Sequence, residues 1–130
     1  MKNLFKPTIT VAFLAVILFS CGTTQGQTEV TVVDADKLVE LQSMGVIVID
    51  VRTPEEVAEG KIPGAINIPL SDTIVADMSK IGKDQAVAVY CRSGGRSTRA
   101  SEVLKNAGYK TIYNYTGSMN DWLAKKKPVE

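Results

Sequence analysis

Residues Ala86 to Ala107, AVAVYCRSGGRSTRASEVLKNA, pass from an unbroken apolar run through a glycine-rich loop into apolar residues at helical spacing. Ala86 to Tyr90 is short, apolar and bounded by polar residues, which predicts a strand buried on both faces. Thr98 to Ala107 places Ala100, Val103, Leu104 and Ala107 on one helical stripe, with Gly108 as its stop. Cys91 therefore falls at a strand-to-helix turn, the place in an open α/β sheet where ligands bind and where a helix start offers free N–H groups. The loop itself, Cys91 to Ser97, sets one thiol before two arginines, two serines and two adjacent glycines.

The same alternation continues on both sides. Upstream, Glu29 to Val33 is β-branched and reads as an edge strand; Asp34 caps a helix to about Ser43, with Leu38, Leu41 and Met44 on one face and Gly45 as its stop. Val46 to Asp50 is a second buried strand whose tip carries an acid. Thr53-Pro54-Glu55-Glu56 supplies an N-cap, a proline at the first helical position and a capping-box glutamate, so a short helix runs to about Gly60. Ala65 to Ile68 is a short strand, and Ser71 or Asp72 caps a helix through Ile81. Downstream, Lys110 to Tyr113 is the last strand and Gly117 to Ala124 a helix carrying Trp122, the only tryptophan. The resulting fold class is an α/β three-layer sandwich, with a mainly parallel central sheet and helices on both faces.

The N-terminal part has a different character. Lys2 and Lys6 precede the apolar run Val11 to Phe19, which is too short to span a bilayer comfortably, so residues 1–20 read as a signal peptide. Its end, Leu18-Phe19-Ser20-Cys21, resembles the bacterial lipobox, which implies cleavage before Cys21 and a lipid on that residue. Gly22 to Thr28 then forms a flexible tether within segment 21–28, followed by the folded domain over 29–125 and a tail over 126–130 with a solvated basic start at Lys125 to Lys127. The expected location is exported and lipid-anchored, facing the periplasm or the cell exterior. A formal net charge of +1 gives no reason to expect nucleic acid as a partner. With Cys21 lipidated, Cys91 is a free thiol in an oxidising compartment rather than half of a disulfide.

A thiol at neutral pH is mostly protonated, and the common remedy is a neighbouring imidazole. The chain contains no histidine. Activation of Cys91 must then come from loop N–H groups, the helix start, and Arg92 or Arg96, with Gly94 and Gly95 letting successive N–H groups converge as an anion nest and Ser93 and Ser97 adding hydroxyl donors. No metal or cofactor is called for.

Several segments, taken in order, resemble the single-domain rhodaneses, a sulfurtransferase family whose active-site loop begins with a persulfide-forming cysteine. Besides CRSGGRS these are Val48 to Arg52 (VIDVR) with Glu55 and Glu56, Gly60 to Pro69 (GKIPGAINIP), and Gly117-Ser118-Met119 through Trp122. The resemblance runs over about Val30 to Leu123. It implies Cys91 as nucleophile, Arg92, Ser93, Gly94, Gly95, Arg96 and Ser97 as the substrate cradle, and a cycle in which a small donor such as thiosulfate loads Cys91 and a thiol or cyanide unloads it. The protein is expected to act as a monomer. Two positions depart from the family pattern: Lys61 where histidine is common and Ser118 where a second glycine is usual. Neither lies in the nucleophilic loop, so both are expected to bear on substrate access or packing rather than on sulfur chemistry.

Three other readings stay open at this level. A cysteine phosphatase or arsenate reductase is one, although Arg96 follows Cys91 after four intervening residues where those enzymes have five. The second is a module that carries persulfide or binds a partner with little turnover, and the third is a redox thiol forming mixed disulfides. Asp50 and Arg52 read as structural support of the site, Asp50 accepting loop hydrogen bonds and Arg52 pairing with Glu55, Glu56 or another acid, because charges beside a buried turn require partners.

Overall fold

A computed structural model describes Gly22 and residues 26–130. The predicted signal peptide and Cys21 lie outside the described residues. Among the described residues, no helix is long and apolar enough to cross a membrane.

Five strands form one parallel sheet in the order β1-β5-β4-β2-β3, with β1 at Val30–Val33, β2 at Ile47–Asp50, β3 at Ile66–Asn67, β4 at Val87–Tyr90 and β5 at Ile112–Tyr115. β4 is central, in register with β2 (Ile47 beside Val87, Asp50 beside Tyr90) and with β5 (Val87 beside Ile112). All four of its residues are buried, as a strand covered on both faces must be. Alternate side chains divide the interior into two cores. Ile49, Val87, Val89 and Ile112 meet Ile74, Met78, Ala100 and Leu104 on one face; Val48, Ala88, Tyr90 and Tyr115 meet Leu38, Leu41, Met119 and Trp122 on the other.

The helices that supply these partners are α1 (Ala35–Ser43), α2 (Pro54–Ala58), α3 (Ile74–Asp77), α4 (Gly95–Asn106) and α5 (Ser118–Ala124). α1 and α5 cover one face, α3 and α4 the other. Two caps form as expected. Asp34 accepts from the Lys37 amide at 2.8 Å, and Thr53 with Glu56 closes a full capping box. Met44, placed on the buried stripe of α1 by spacing, follows the last helical residue and is exposed.

Other boundaries also differ from the sequence reading, among them those of α3, β5 and α4. α3 covers only Ile74–Asp77, and the chain then turns to seat Met78 and Ile81 in the core. The last strand lies at Ile112–Tyr115, two residues later than expected, because Tyr109 buries its ring before the strand begins and donates its hydroxyl to the Met78 and Ile81 carbonyls. α4 starts at Gly95 and so takes in most of the second half of the cysteine loop.

The C-terminal tail is also not a free end. Lys61 and Glu130 exchange two backbone hydrogen bonds of 3.1 and 3.0 Å, Trp122 Nε1 donates to the Pro128 carbonyl at 2.8 Å, and Lys127 pairs with Asp36. The chain end thus straps the Gly60 to Gly64 loop, and the Glu130 carboxylate accepts the Gly64 amide at 3.0 Å.

Where β2 ends, a buried ion pair fixes the exit of the chain. Arg52 donates to both Asp50 oxygens, the shortest contact being 2.7 Å, and also to the Gly60 carbonyl at 2.7 Å. Asp50 further accepts the Tyr90 hydroxyl at 2.6 Å, while that hydroxyl accepts the Ile62 amide at 3.1 Å. The partner of Arg52 is therefore Asp50 rather than Glu55 or Glu56. Replacing Asp50 with Ala strands a buried guanidinium and should lower stability by about 3 kcal/mol or more; urea unfolding at neutral pH measures it, and a loss under about 1 kcal/mol would mean that water serves Arg52 equally well.

Candidate active site

Cys91 follows directly on β4, so its backbone is held by the most buried strand of the sheet. Its side chain is only 1% exposed and belongs to the α3/α4 core. The loop after it is pinned from the far side by the first turn of α5, where the Met119 and Asn120 amides donate to the Cys91 and Arg92 carbonyls, both at 3.0 Å. These bonds satisfy two of the loop carbonyls.

The Sγ atom accepts the Gly94 amide at 3.1 Å and the Ser97 amide at 3.4 Å, and the Ser118 hydroxyl lies 3.7 Å away. Arg92, Ser93, Gly95 and Arg96 have backbone N–H groups with no acceptor among the described residues, and Gly95 and Arg96 are at the helix start where none is available within the helix. Burial pushes the Cys91 thiol up, while the Ser97 amide, the Ser118 hydroxyl and the Gly94 amide pull it down; the balance leaves it below its ordinary value. Two loop amides and one hydroxyl thus converge on the sulfur, and four further loop amides have no acceptor among the described residues.

The two glycines of the loop have different jobs. Gly94 adopts φ +100°, and a Cβ there would come 2.4 Å from the Thr116 carbonyl oxygen, so only glycine fits the turn that aims its N–H at sulfur. Gly95 has no left-handed backbone, and a Cβ on it would meet nothing within 4 Å. Folding of the loop thus requires Gly94 but not Gly95. The Gly94 carbonyl is held three ways, by the Thr98 amide at 3.1 Å, the Thr98 hydroxyl at 2.8 Å and the Ser97 hydroxyl at 3.1 Å. The Ser97 hydroxyl is therefore spent on backbone, and Ser97 reaches the sulfur through its amide. Asn114 on β5 extends the chain of contacts by donating to Thr98 Oγ1 at 3.0 Å.

The two arginines diverge. Arg96 makes a two-point ion pair with Glu56, at 2.6 and 2.8 Å. The Arg96 guanidinium and the Thr53 cap hold the Glu56 carboxyl down to about 2, against a burial effect of opposite sign. Arg92 is exposed, and its guanidinium has no hydrogen-bond or ion-pair partner among the described residues. It stands at a cleft of about 140 Å³ that Met119, Asn120, Leu123, Gly60 and Val129 help to wall. Glu56 lines that cleft, while Arg96 lines a wider one with Arg99, Ser71 and Leu70, so the ion pair divides the two. The Ser93 hydroxyl is exposed and is not among the donors to the sulfur.

Three participants escape a reading by motif. Glu56 shows only its capping role in sequence, since its ion pair with Arg96 crosses 40 positions. Tyr90 reads as one more apolar strand residue, yet its hydroxyl ties Asp50 to the Ile62 amide. Ser118 shows in the sequence only as a departure from the family pattern, expected to bear on substrate access or packing; in the structure its hydroxyl contacts both the Cys91 amide and Sγ. Lys61, the other departure, turns its amine onto the Ala65 carbonyl at 2.9 Å and away from the thiol.

The fold and site are those of an α/β domain with a buried thiol at the carboxyl end of its central parallel strand, held by backbone donors and without an imidazole base. Comparison with known proteins makes the assignment specific: residues 34–125 match the model of the rhodanese-like domain, and the chain belongs to that family. A sulfurtransferase of Allochromatium vinosum is 40% identical over 84 residues, covering 65% of this chain and 78% of that protein. A putative mitochondrial thiosulfate sulfurtransferase of Schizosaccharomyces pombe is 42% identical over 93 residues, covering 62% and 66%. The solved structure of a rhodanese-related protein from Thermoplasma volcanium superposes with a TM-score of 0.68 at 31% identity, over 77% of this chain and 97% of that one.

The unequal glycines give a paired test. Gly94→Ala should cost about 2 kcal/mol or more through backbone strain and the collision with Thr116, whereas Gly95→Ala should leave stability unchanged or raise it by up to about 1 kcal/mol. Thermal unfolding of the two variants checks this, and equal losses would contradict the assigned geometry.

Proposed function

We propose that the protein is a sulfurtransferase that moves a sulfane sulfur through a persulfide on Cys91. The observation that carries this reading is a buried sulfur that accepts the Gly94 and Ser97 amides, in a loop where four more amides have no acceptor among the described residues and where no base stands by to take its proton. A persulfide adds one sulfur atom and moves the negative charge of the thiolate onto it, and the loop amides without acceptors are donors for that charge. In the first half-reaction the Cys91 thiolate attacks the outer sulfur of thiosulfate, the S–S bond of the donor breaks, and sulfite leaves with the electron pair. In the second, cyanide or a thiolate attacks the outer sulfur of the persulfide, and the Cys91 thiolate is regenerated. Membership of the rhodanese-like family and the similarity to a putative thiosulfate sulfurtransferase of Schizosaccharomyces pombe support the choice of thiosulfate.

Of the two loop arginines, Arg92 is the better candidate for the anionic end of the donor, because Arg96 is already neutralised by Glu56. Replacing Cys91 with Ser should abolish transfer from thiosulfate to cyanide. Arg92→Ala should raise KM for thiosulfate about tenfold with a smaller change in kcat. Transfer that survives Cys91→Ser, or a KM that responds to Arg96→Ala and not to Arg92→Ala, would contradict these roles.

We further propose that the chain is lipid-anchored through Cys21 and faces the periplasm or the cell exterior, a reading supported by the basic start, the apolar run and the cysteine after Ser20. When the full chain is expressed in bacteria, the wild type should partition into the detergent phase and Cys21→Ala into the aqueous phase. Identical partitioning of the two would remove the anchor.

A further inference from the structure

Ser118 is fully buried and adopts φ +56°, a left-handed backbone that favours glycine. The only other non-glycine residue with positive φ among the described residues is Lys126, which is exposed. A strained, buried non-glycine residue persists where its side chain has work that glycine would leave undone. Here the side chain reaches the nucleophile. Ser118 Oγ accepts the Cys91 amide at 3.0 Å, so an oxygen lone pair is taken and its single proton must go elsewhere. Two acceptors lie within reach, the Tyr115 carbonyl at 2.9 Å and Cys91 Sγ at 3.7 Å.

Which acceptor receives the proton depends on the charge of the sulfur. A neutral thiol is a weak acceptor and loses to the carbonyl; a thiolate accepts a charge-assisted bond of about twice the strength of a neutral one. A hydroxyl rotor turns between the two without moving any heavy atom. We infer that Ser118 is a catalytic hydroxyl, which donates to Cys91 Sγ when that atom is the attacking thiolate and again when it departs as the thiolate leaving group during persulfide discharge. No proton is transferred in either step; the hydroxyl lowers the energy of the charged sulfur. This role rests on the proposed persulfide chemistry and adds to it a donor from outside the Cys91 to Ser97 loop.

Two substitutions separate the hydroxyl from the backbone. Ser118→Ala removes the oxygen and keeps the strain, whereas Ser118→Gly removes the oxygen and relieves it. The measurement is iodoacetamide labelling of Cys91 against pH in the full chain, read from the mass of the peptide that contains Cys91, together with the thermal midpoint of each variant. Both variants should show the same upward displacement of the labelling midpoint and a rate at pH 7 about threefold to tenfold lower, although Ser118→Gly should be the more stable of the two. Cyanide release of sulfur from the loaded protein should slow by a similar factor in both. If labelling follows stability instead, with Ser118→Gly like the wild type and only Ser118→Ala displaced, Ser118 is a packing residue and the inference fails. A wild-type midpoint already at the ordinary thiol value would overturn the activated thiolate of the proposed function itself; a low wild-type midpoint unchanged in both variants would overturn only the role of Ser118.

Discussion

A sulfur that is 1% exposed and has no imidazole to take its proton can carry negative charge only if backbone N–H groups replace the water it has lost. That requirement sets the rest of the structure around Cys91. The loop must bend sharply enough for the Gly94 and Ser97 amides to face back onto Sγ, which places Gly94 at φ +100° directly under the Thr116 carbonyl. β5 must end where it does for Thr116 to sit there, and α5 must begin immediately after it, so that its first amides secure the Cys91 and Arg92 carbonyls. The nest is therefore a product of three elements, β4, β5 and the start of α4, with α5 as its clamp.

Two ion pairs organise the side of the site facing β2, and they do different jobs. Asp50 with Arg52 is buried, and its worth lies in fixing the path of the chain from β2 to the Gly60 loop, since a desolvated pair gains little net free energy. Glu56 with Arg96 is partly exposed and lies between two clefts, where it takes one cation out of play and leaves Arg92 as the accessible positive charge beside the loop. The strapped chain end contributes Val129 to the wall of the cleft at Arg92, so the last residues shape the approach to the site although they are far from Cys91 in sequence.

Much of this is legible in the sequence. The buried runs at Val46 to Asp50 and Ala86 to Tyr90, the caps at Asp34 and Thr53, and the glycine-marked turn after Cys91 are local patterns, and local physics decides them. What the pattern left obscure depends on distance along the chain. Apolar spacing begins the helix only at Thr98, yet bonds from Ser97 and Thr98 to the Gly94 carbonyl start α4 at Gly95. Arg52 offered Glu55 and Glu56 as near partners, but the register of β2 sets Asp50 beside Tyr90 and so puts its carboxylate in the buried network. Lys125 to Glu130 is basic and apolar by turns and looked free; its anchors are Asp36 and Lys61, which no short window contains. Ser118 was marked as unusual by comparison with the family pattern, but its contact with Cys91 spans 27 positions and appears only when β5 is laid beside β4.

The central claim is that Cys91 holds a persulfide in the nest of loop amides. The most direct measurement is the mass of the Cys91-containing peptide, taken from the full chain under non-reducing conditions, before thiosulfate, after thiosulfate, and after a final addition of cyanide. The account predicts a gain of one sulfur atom on that peptide with thiosulfate, and its loss with cyanide as thiocyanate forms. A Cys91 peptide whose mass never changes, under conditions where the protein still releases thiocyanate, would contradict it.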